Sequence, residues 1–226
     1  MVRVARAILV ISIGMLAPAA AAADGFSRAS KKIEAEKFEQ AARLLERCSD
    51  DGDPRCDYLL GRLSLVGEGV EPDAAVAAIR FRTAADAGIP AAQSNLGLLS
   101  ATGHGVEQDA PQAAALYRQA ASGGDPLGQA ALGAACYLGE GVPQDKVEGY
   151  AWTSLAAAQG NEKARAFLVA MEEELTEEQL ELARSQIDDL RPKIRKEVKR
   201  GVPRHALPRN SSQDTAREIQ RRRQQR

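Results

Sequence analysis

The stretch G-R-L-S-L-V-G-E-G-V-E-P-D at residues 61–73 recurs, with changes, at residues 97–109 and 133–145. Three glycines, one valine and the final aspartate return each time, and successive copies lie 36 residues apart. Self-similarity at a fixed period is the sequence signature of a repeat protein, in which each unit packs on the next. The stretch therefore predicts a repeat array.

Positions outside the quoted stretch keep the same period. They are three prolines, three alanine pairs and three closing glycines: Pro54, Pro90, Pro126, Ala84-Ala85, Ala120-Ala121, Ala156-Ala157, Gly88, Gly124 and Gly160. Only 4% of the residues are aromatic, whereas alanine and leucine are abundant. This composition favours helix over sheet.

Each unit is predicted to contain two helices joined by the G-x-G-V turn. Proline suits an early position of the first helix, and glycine suits the left-handed cap at its end. The aspartates, which are Asp73, Asp109 and Asp145, are expected to cap the second helices. The small residues Gly61, Gly97 and Gly133 are expected to face the alanine pairs and let the helices approach closely.

The first residues have the layout of a secretory signal peptide. Arg3 and Arg6 precede an apolar run at 7–16, and small residues follow as far as Ala23. The run is shorter than the roughly 20 apolar residues that span a bilayer. We predict a signal peptide at 1–23 and a periplasmic or secreted chain without a transmembrane segment; an uncleaved N-terminal anchor is the alternative.

The net charge of −1 conceals a strong asymmetry along the chain. Residues 24–192 carry 16 Lys and Arg against 28 Asp and Glu, whereas residues 193–226 carry 12 against 3. Low hydrophobicity and high charge predict a disordered basic tail at 193–226. Its candidate partners are an anionic lipid, an envelope polymer or the acidic body itself. Nucleic acid is not expected for an exported chain.

The pattern L-G-x5-G-x-G-V, with an acid three residues on, Ala-Ala and a closing glycine, resembles the Sel1-like repeat, a relative of the tetratricopeptide repeat. The resemblance covers about residues 37–192 and is strongest over 54–160. It implies an all-α fold, a right-handed α-solenoid of antiparallel helix pairs that serves as a scaffold. The sequence departs from the family at Ser64, Ser100 and Cys136, where the first helix usually has tyrosine.

The period divides the chain into segments. Three repeats are predicted at 53–88, 89–124 and 125–160, after a segment at 24–52 whose residues 29–47 form the second helix of a partial leading repeat. Capping helices are predicted at 161–192, where Thr176 and Gln179 match a capping box, and the folded region is expected to close at Pro192.

The three cysteines are assigned largely through the resemblance. Cys48 and Cys56 resemble the disulfide-bonded pairs of a cysteine-rich secreted branch of the family, and an oxidising compartment permits the bond. The alternative is two unpaired small apolar side chains. Cys136 is expected to be a buried free thiol.

Catalytic motifs are missing from the sequence. The two histidines, His104 and His205, are too few for a multi-histidine metal site. No G-x-S-x-G elbow occurs, and no serine has lysine three residues later. We therefore expect neither an enzyme nor a cofactor or metal. The resemblance to the cysteine-rich branch keeps a β-lactamase-like hydrolase as a remote alternative.

The first helices supply the candidate binding residues. In related helix-pair repeats these helices line the concave face, so their outward positions are expected to contact a protein or peptide partner. The candidates are Arg55, Tyr58, Arg62, Leu65, Ser94, Leu98 and Tyr137, with Ala101, Ala130 and Ala134 beside them. Packing between repeats is the alternative role. The leading hypothesis is a non-enzymatic exported scaffold in envelope regulation or assembly; the alternative is binding of an envelope polymer or anionic lipid through the tail.

Overall fold

The computed structural model describes residues 18–200 of the chain. Within that range it contains ten α-helices and no strand. The helices are α1 (Pro18–Glu34), α2 (Phe38–Asp50), α3 (Pro54–Val66), α4 (Ala74–Asp86), α5 (Pro90–Thr102), α6 (Ala110–Ser122), α7 (Pro126–Leu138), α8 (Lys146–Ala158), α9 (Glu162–Glu174) and α10 (Glu177–Arg200). Consecutive helices pack on one another from α1 to α9. The prediction of an all-α solenoid is confirmed.

The three predicted repeats are helix pairs, and local sequence signals set their ends. Proline stands in the first turn of each first helix, and a glycine in the left-handed conformation ends it. The carboxylate of Asp73 accepts the backbone N–H groups of Ala75 and Val76 at 2.8 and 3.0 Å. Asp109 and Asp145 cap α6 and α8 in the same way. These bonds satisfy donors that a helix leaves unpaired at its N-terminus.

The second glycine of each turn lies against the backbone of the preceding unit. A Cβ atom on Gly105 would overlap the backbone carbonyl group of Ala74, at the start of α4. Gly69 meets Phe38 at the start of α2, and Gly141 meets Ala110 at the start of α6. The G-x-G-V turn therefore joins two helices and also docks its unit on the one before.

The close packing within each pair differs from the expected pairing of glycine with alanine. A Cβ atom on Gly61 would lie 2.8 Å from the ring of Phe81, and one on Gly97 would lie 2.8 Å from the ring of Tyr117. The alanines Ala84, Ala85, Ala120, Ala121 and Ala156 are buried, and Ala120 lies against Gly128 of the next first helix. In these two repeats a side chain does not fit because an aromatic ring from the second helix of the same pair occupies the space, whereas Gly133 lies against Thr153 and the backbone of α8.

The leading unit is more complete than the sequence suggested. The single helix expected at 29–47 is wrong, because α1 ends at Glu34 and α2 begins at Phe38. Glu36 between them has φ of 56°, a left-handed conformation that interrupts the helix. Helix α2 starts one period before α4, and α1 packs on it. Residues 18–50 thus form a full helix pair.

The end of the array also extends beyond expectation. Helix α9 keeps the register, and the capping box is present, since the N–H of Gln179 donates to Thr176 and the N–H of Thr176 donates to Gln179. However, α10 continues through Pro192 to Arg200, so closure at Pro192 is wrong. Ile194 is buried beyond the proline, and this anchor offsets the missing backbone hydrogen bond.

Helix α10 lies against α8 and α6. Its apolar residues join two clusters that contain side chains from these second helices. Among helices within residues 18–200, none combines the length and the apolar character needed to cross a membrane. The predicted signal peptide lies outside the described residues except for 18–23, at the start of α1, and the predicted tail lies outside them from residue 201 onward.

We predict that Gly105→Ala destabilises the protein more than Gly88→Ala. Both glycines have positive φ, which costs alanine about 1–2 kcal/mol. No atom lies within 4 Å of a Cβ on Gly88, whereas Gly105 would meet backbone, and overpacking adds about 1–3 kcal/mol. Urea unfolding, monitored by circular dichroism, measures the free energy of unfolding of both variants. Equal losses would show that the backbone contact at the turn is unimportant.

Candidate functional site

The candidate binding residues divide into buried and partly exposed groups. Arg55, Arg62 and Leu98 are partly exposed. Tyr58, Leu65, Ser94 and Tyr137 are buried, with exposed fractions of 5% or less. The expectation that these four side chains point outward to contact a partner is therefore wrong. A first helix is enclosed by its own second helix, by the preceding second helix and by neighbouring first helices, so little of it reaches the surface.

The buried members of the set connect elements of the array. The Tyr58 ring packs against Phe81 of α4, with the ring centres 6.0 Å apart. The Ser94 hydroxyl donates to Asp125, the N-cap of α7, at 2.7 Å. The Tyr137 hydroxyl donates to Glu174 at the end of α9, at 2.8 Å. Their contacts are those of repeat packing, the alternative role that the sequence left open.

The exposed part of the first helices forms a continuous pattern, here called the first-helix stripe. It consists of Arg62, Leu98, Ala101, Ala130, Ala134 and Leu138, all of them partly or fully exposed. Arg62, Leu98 and Ala134 occupy one repeat position, and the others lie within two turns of it on the same helical face. Leu138 is 54% exposed. The stripe is apolar except at Arg62.

Arg62 has unmet hydrogen-bonding capacity. Its Nε atom is buried without a hydrogen-bond partner, and the guanidinium makes no ion pair within the described residues. Asn95 on α5 is a second such group: its Nδ2 donates to Ala91 at 2.6 Å, while its buried Oδ1 accepts nothing. Sequence reasoning missed Asn95, although it stands where the flanking repeats have Leu59 and Ala131.

A second polar position was also missed. Asp57, Gln93 and Gln129 occupy one repeat position and are all buried. Asp57 accepts from Ser49 of α2 at 2.9 Å and from Arg80 of α4 at 3.0 Å. Gln93 likewise donates to the carbonyl of Ala85 on the preceding second helix, at 3.3 Å. A polar residue repeated within an apolar helix was the available signal.

The disulfide inferred from the resemblance is present. Cys48 at the end of α2 is bonded to Cys56 at the start of α3, with the Cα atoms 6.0 Å apart. Asp53 lies between them, and its carboxylate binds the Arg55 guanidinium. That guanidinium also stacks on Phe26 of α1, 4.4 Å from the ring centre. Arg55 is therefore held by the leading unit.

Cys136 is a free and buried thiol, as expected. Burial, together with the nearby carboxylate of Glu148, raises the pKa of the Cys136 thiol to about 12. The Arg118 guanidinium acts in the opposite direction but does not cancel these effects. The group is protonated near neutral pH, which removes the thiolate that nucleophilic chemistry requires.

We predict that reduction of the disulfide lowers stability by about 2–3 kcal/mol, because a closed loop this short restricts the unfolded chain by that amount. Dithiothreitol should lower the urea midpoint of the wild type and of Cys136→Ala. It should leave the double variant Cys48→Ala, Cys56→Ala unchanged. A wild type that is insensitive to reductant would contradict the prediction.

We also predict that native Cys136 resists alkylation at pH 8. Its pKa of about 12 means that thiolate forms only as the pH approaches that value. Iodoacetamide labelling without reductant, read by mass spectrometry, should be slow in buffer and rapid in denaturant. Cys136→Ala gives the background, and rapid labelling of the native chain would refute the assignment.

Comparisons with known proteins agree with the geometry. A Sel1 repeat model matches residues 54–89, 90–125 and 126–161. A Sel1 repeat protein from Oxalobacter formigenes is 39% identical, with a TM-score of 0.51 over 56% of this chain and 95% of that one. A protective antigen of uropathogenic Escherichia coli with an SLR fold is 32% identical, with a TM-score of 0.54 over 62% of this chain and 34% of that chain. No match was found among curated proteins. The chain belongs to the Sel1 repeat family.

Proposed function

We propose that this protein is a non-enzymatic, exported scaffold that binds an extended peptide of a protein partner along the first-helix stripe. Sel1 repeat proteins generally mediate protein–protein interaction as scaffolds. The specific surface, the export and a role in envelope regulation or assembly are parts of the proposal.

The unmet hydrogen-bonding capacity of Arg62 is the observation that carries the proposal. The Nε atom itself is enclosed, but the Arg62 side chain is partly exposed and makes no ion pair within residues 18–200, so its other N–H groups are available to donate to a carbonyl group of a bound peptide. Arginine is also enriched among the residues that dominate binding energies at protein interfaces. Leu98 and Leu138 along the stripe would then receive apolar side chains of the same peptide.

Two features support export and the absence of catalysis. The Cys48–Cys56 bond suits an oxidising compartment, which agrees with the signal peptide predicted at 1–23. The raised pKa of Cys136 makes it a poor nucleophile at neutral pH. The alternative function, in which the basic tail binds an envelope polymer or anionic lipid, remains a prediction from the charge of residues 193–226.

Selection of random peptides against the full chain tests the stripe. We expect the selected peptides to lose at least about tenfold in affinity for Leu98→Asp, because a charge would replace an apolar contact in the interface. Arg62→Ala should also weaken the binding of these peptides.

Ala115→Asp is the matched control. Ala115 is exposed on α6, outside the first-helix stripe, so this variant should bind the peptides as the wild type does. Peptides that bind Leu98→Asp and the wild type equally, or a selection that yields none, would refute the proposal.

A further inference from the structure

Helix α4 has an exposed apolar face. Ile79 is 66% exposed and Val76 is 41% exposed. Beside them lies a groove of about 420 Å³, bounded by α4 and by the turn of the next repeat. Its walls include Ala75, Ala78, Ile79, Arg82, Thr83 and Val106. We call this surface the α4 groove.

The repeat symmetry identifies the equivalent surface on α8. Ile79 and Thr83 of α4 correspond to Ala151 and Leu155 of α8, two periods later. Ala151 is fully buried and Leu155 is 7% exposed, whereas both α4 residues are exposed. The difference arises because α10 lies on α8. The same face of a second helix is thus covered in one repeat and open in another.

Helix α10 shows what kind of structural element packs on such a face. Its apolar residues Leu180, Ala183, Ile187, Leu190 and Ile194 are spaced alternately by three and four residues. All five are buried or pack against the core clusters. This spacing is the heptad seam by which one helix packs along another.

We propose that the α4 groove binds an amphipathic helix of a partner protein, packed along α4 as α10 packs along α8. The inference rests on the proposed scaffold function and adds to it a surface separate from the first-helix stripe. The groove continues the layer of second helices on which α10 already lies. Its wall along α4, from Ala75 to Asp86, is about 16 Å long at the helical rise, which accommodates three turns of a helix.

The charges at the groove distinguish this occupant from α10. Arg82 and Asp86 lie one turn apart on α4 and make no ion pair within the described residues. The corresponding positions on α8 are the uncharged Ser154 and Ala158. A partner helix that carries an acid opposite Arg82 and a base opposite Asp86 would bind in one orientation.

The other occupants fit less well. Residues 201–226 have few apolar side chains, chiefly Val202, Leu207 and Ile219, and these do not follow heptad spacing. The α10 helix of a second copy is occupied by its own α8. A partner helix is therefore the occupant that the surface favours.

A synthetic helix of three heptads, with leucine at the seam and glutamate and lysine elsewhere, serves as the probe. Its fluorescence anisotropy should show saturable binding to the full chain. Ile79→Glu should weaken binding at least about tenfold, because the charge would be buried against leucine. A scrambled peptide of the same composition, in which the seam is broken, should not bind.

Val169→Glu is the matched control, since Val169 is a 60% exposed aliphatic residue on α9, outside the groove. The affinity of this variant for the probe should stay within about twofold of that of the wild type. A photo-crosslinking phenylalanine analogue at position 79 should react with the probe. Probe binding that is indifferent to Ile79→Glu, or crosslinks from position 79 to residues 201–226 or to a second copy, would overturn the inference. Peptide binding that depends on Leu98 would persist in those cases. The proposed function would therefore remain valid even if this inference failed.

Discussion

The direct contact between the turn of each unit and the backbone of the preceding second helix is the constraint on which the array depends. Gly69, Gly105 and Gly141 lie so close to the preceding backbone that no side chain fits between them. The spacing and orientation of successive units follow from this contact, because backbone groups are stiffer than side chains. The remaining packing fills the space that these contacts define.

This close stacking explains why the surface available for binding is small. First helices are covered on most sides, so Tyr58, Ser94 and Tyr137 serve the array and cannot reach a partner. Buried polar groups at the position of Gln93 bond the preceding second helix and thereby specify how units join. What remains exposed is a narrow apolar stripe in which Arg62 has an unmet donor, and this combination suits an extended peptide.

The two ends of a repeat array lack neighbours and need different solutions. At the start, the disulfide between Cys48 and Cys56 and the contacts of α1 fix the leading pair. At the end, α10 packs back on α8 and α6. Because α10 packs on α8 and α6, the equivalent face of α4 stays open, and the asymmetry between identical repeat positions creates a second candidate surface.

The sequence alone determined the repeat period, the helix pairs and their caps, since glycine, proline and aspartate act through local backbone geometry. It also indicated the family and, through it, the disulfide. It could not show that α1 and α2 are separate helices, that α10 continues beyond Pro192, or which first-helix residues are buried. Those outcomes depend on contacts between units distant in sequence: Ile194 holds its helix by packing on the core, and the exposure of Ile79 is decided by where α10 lies.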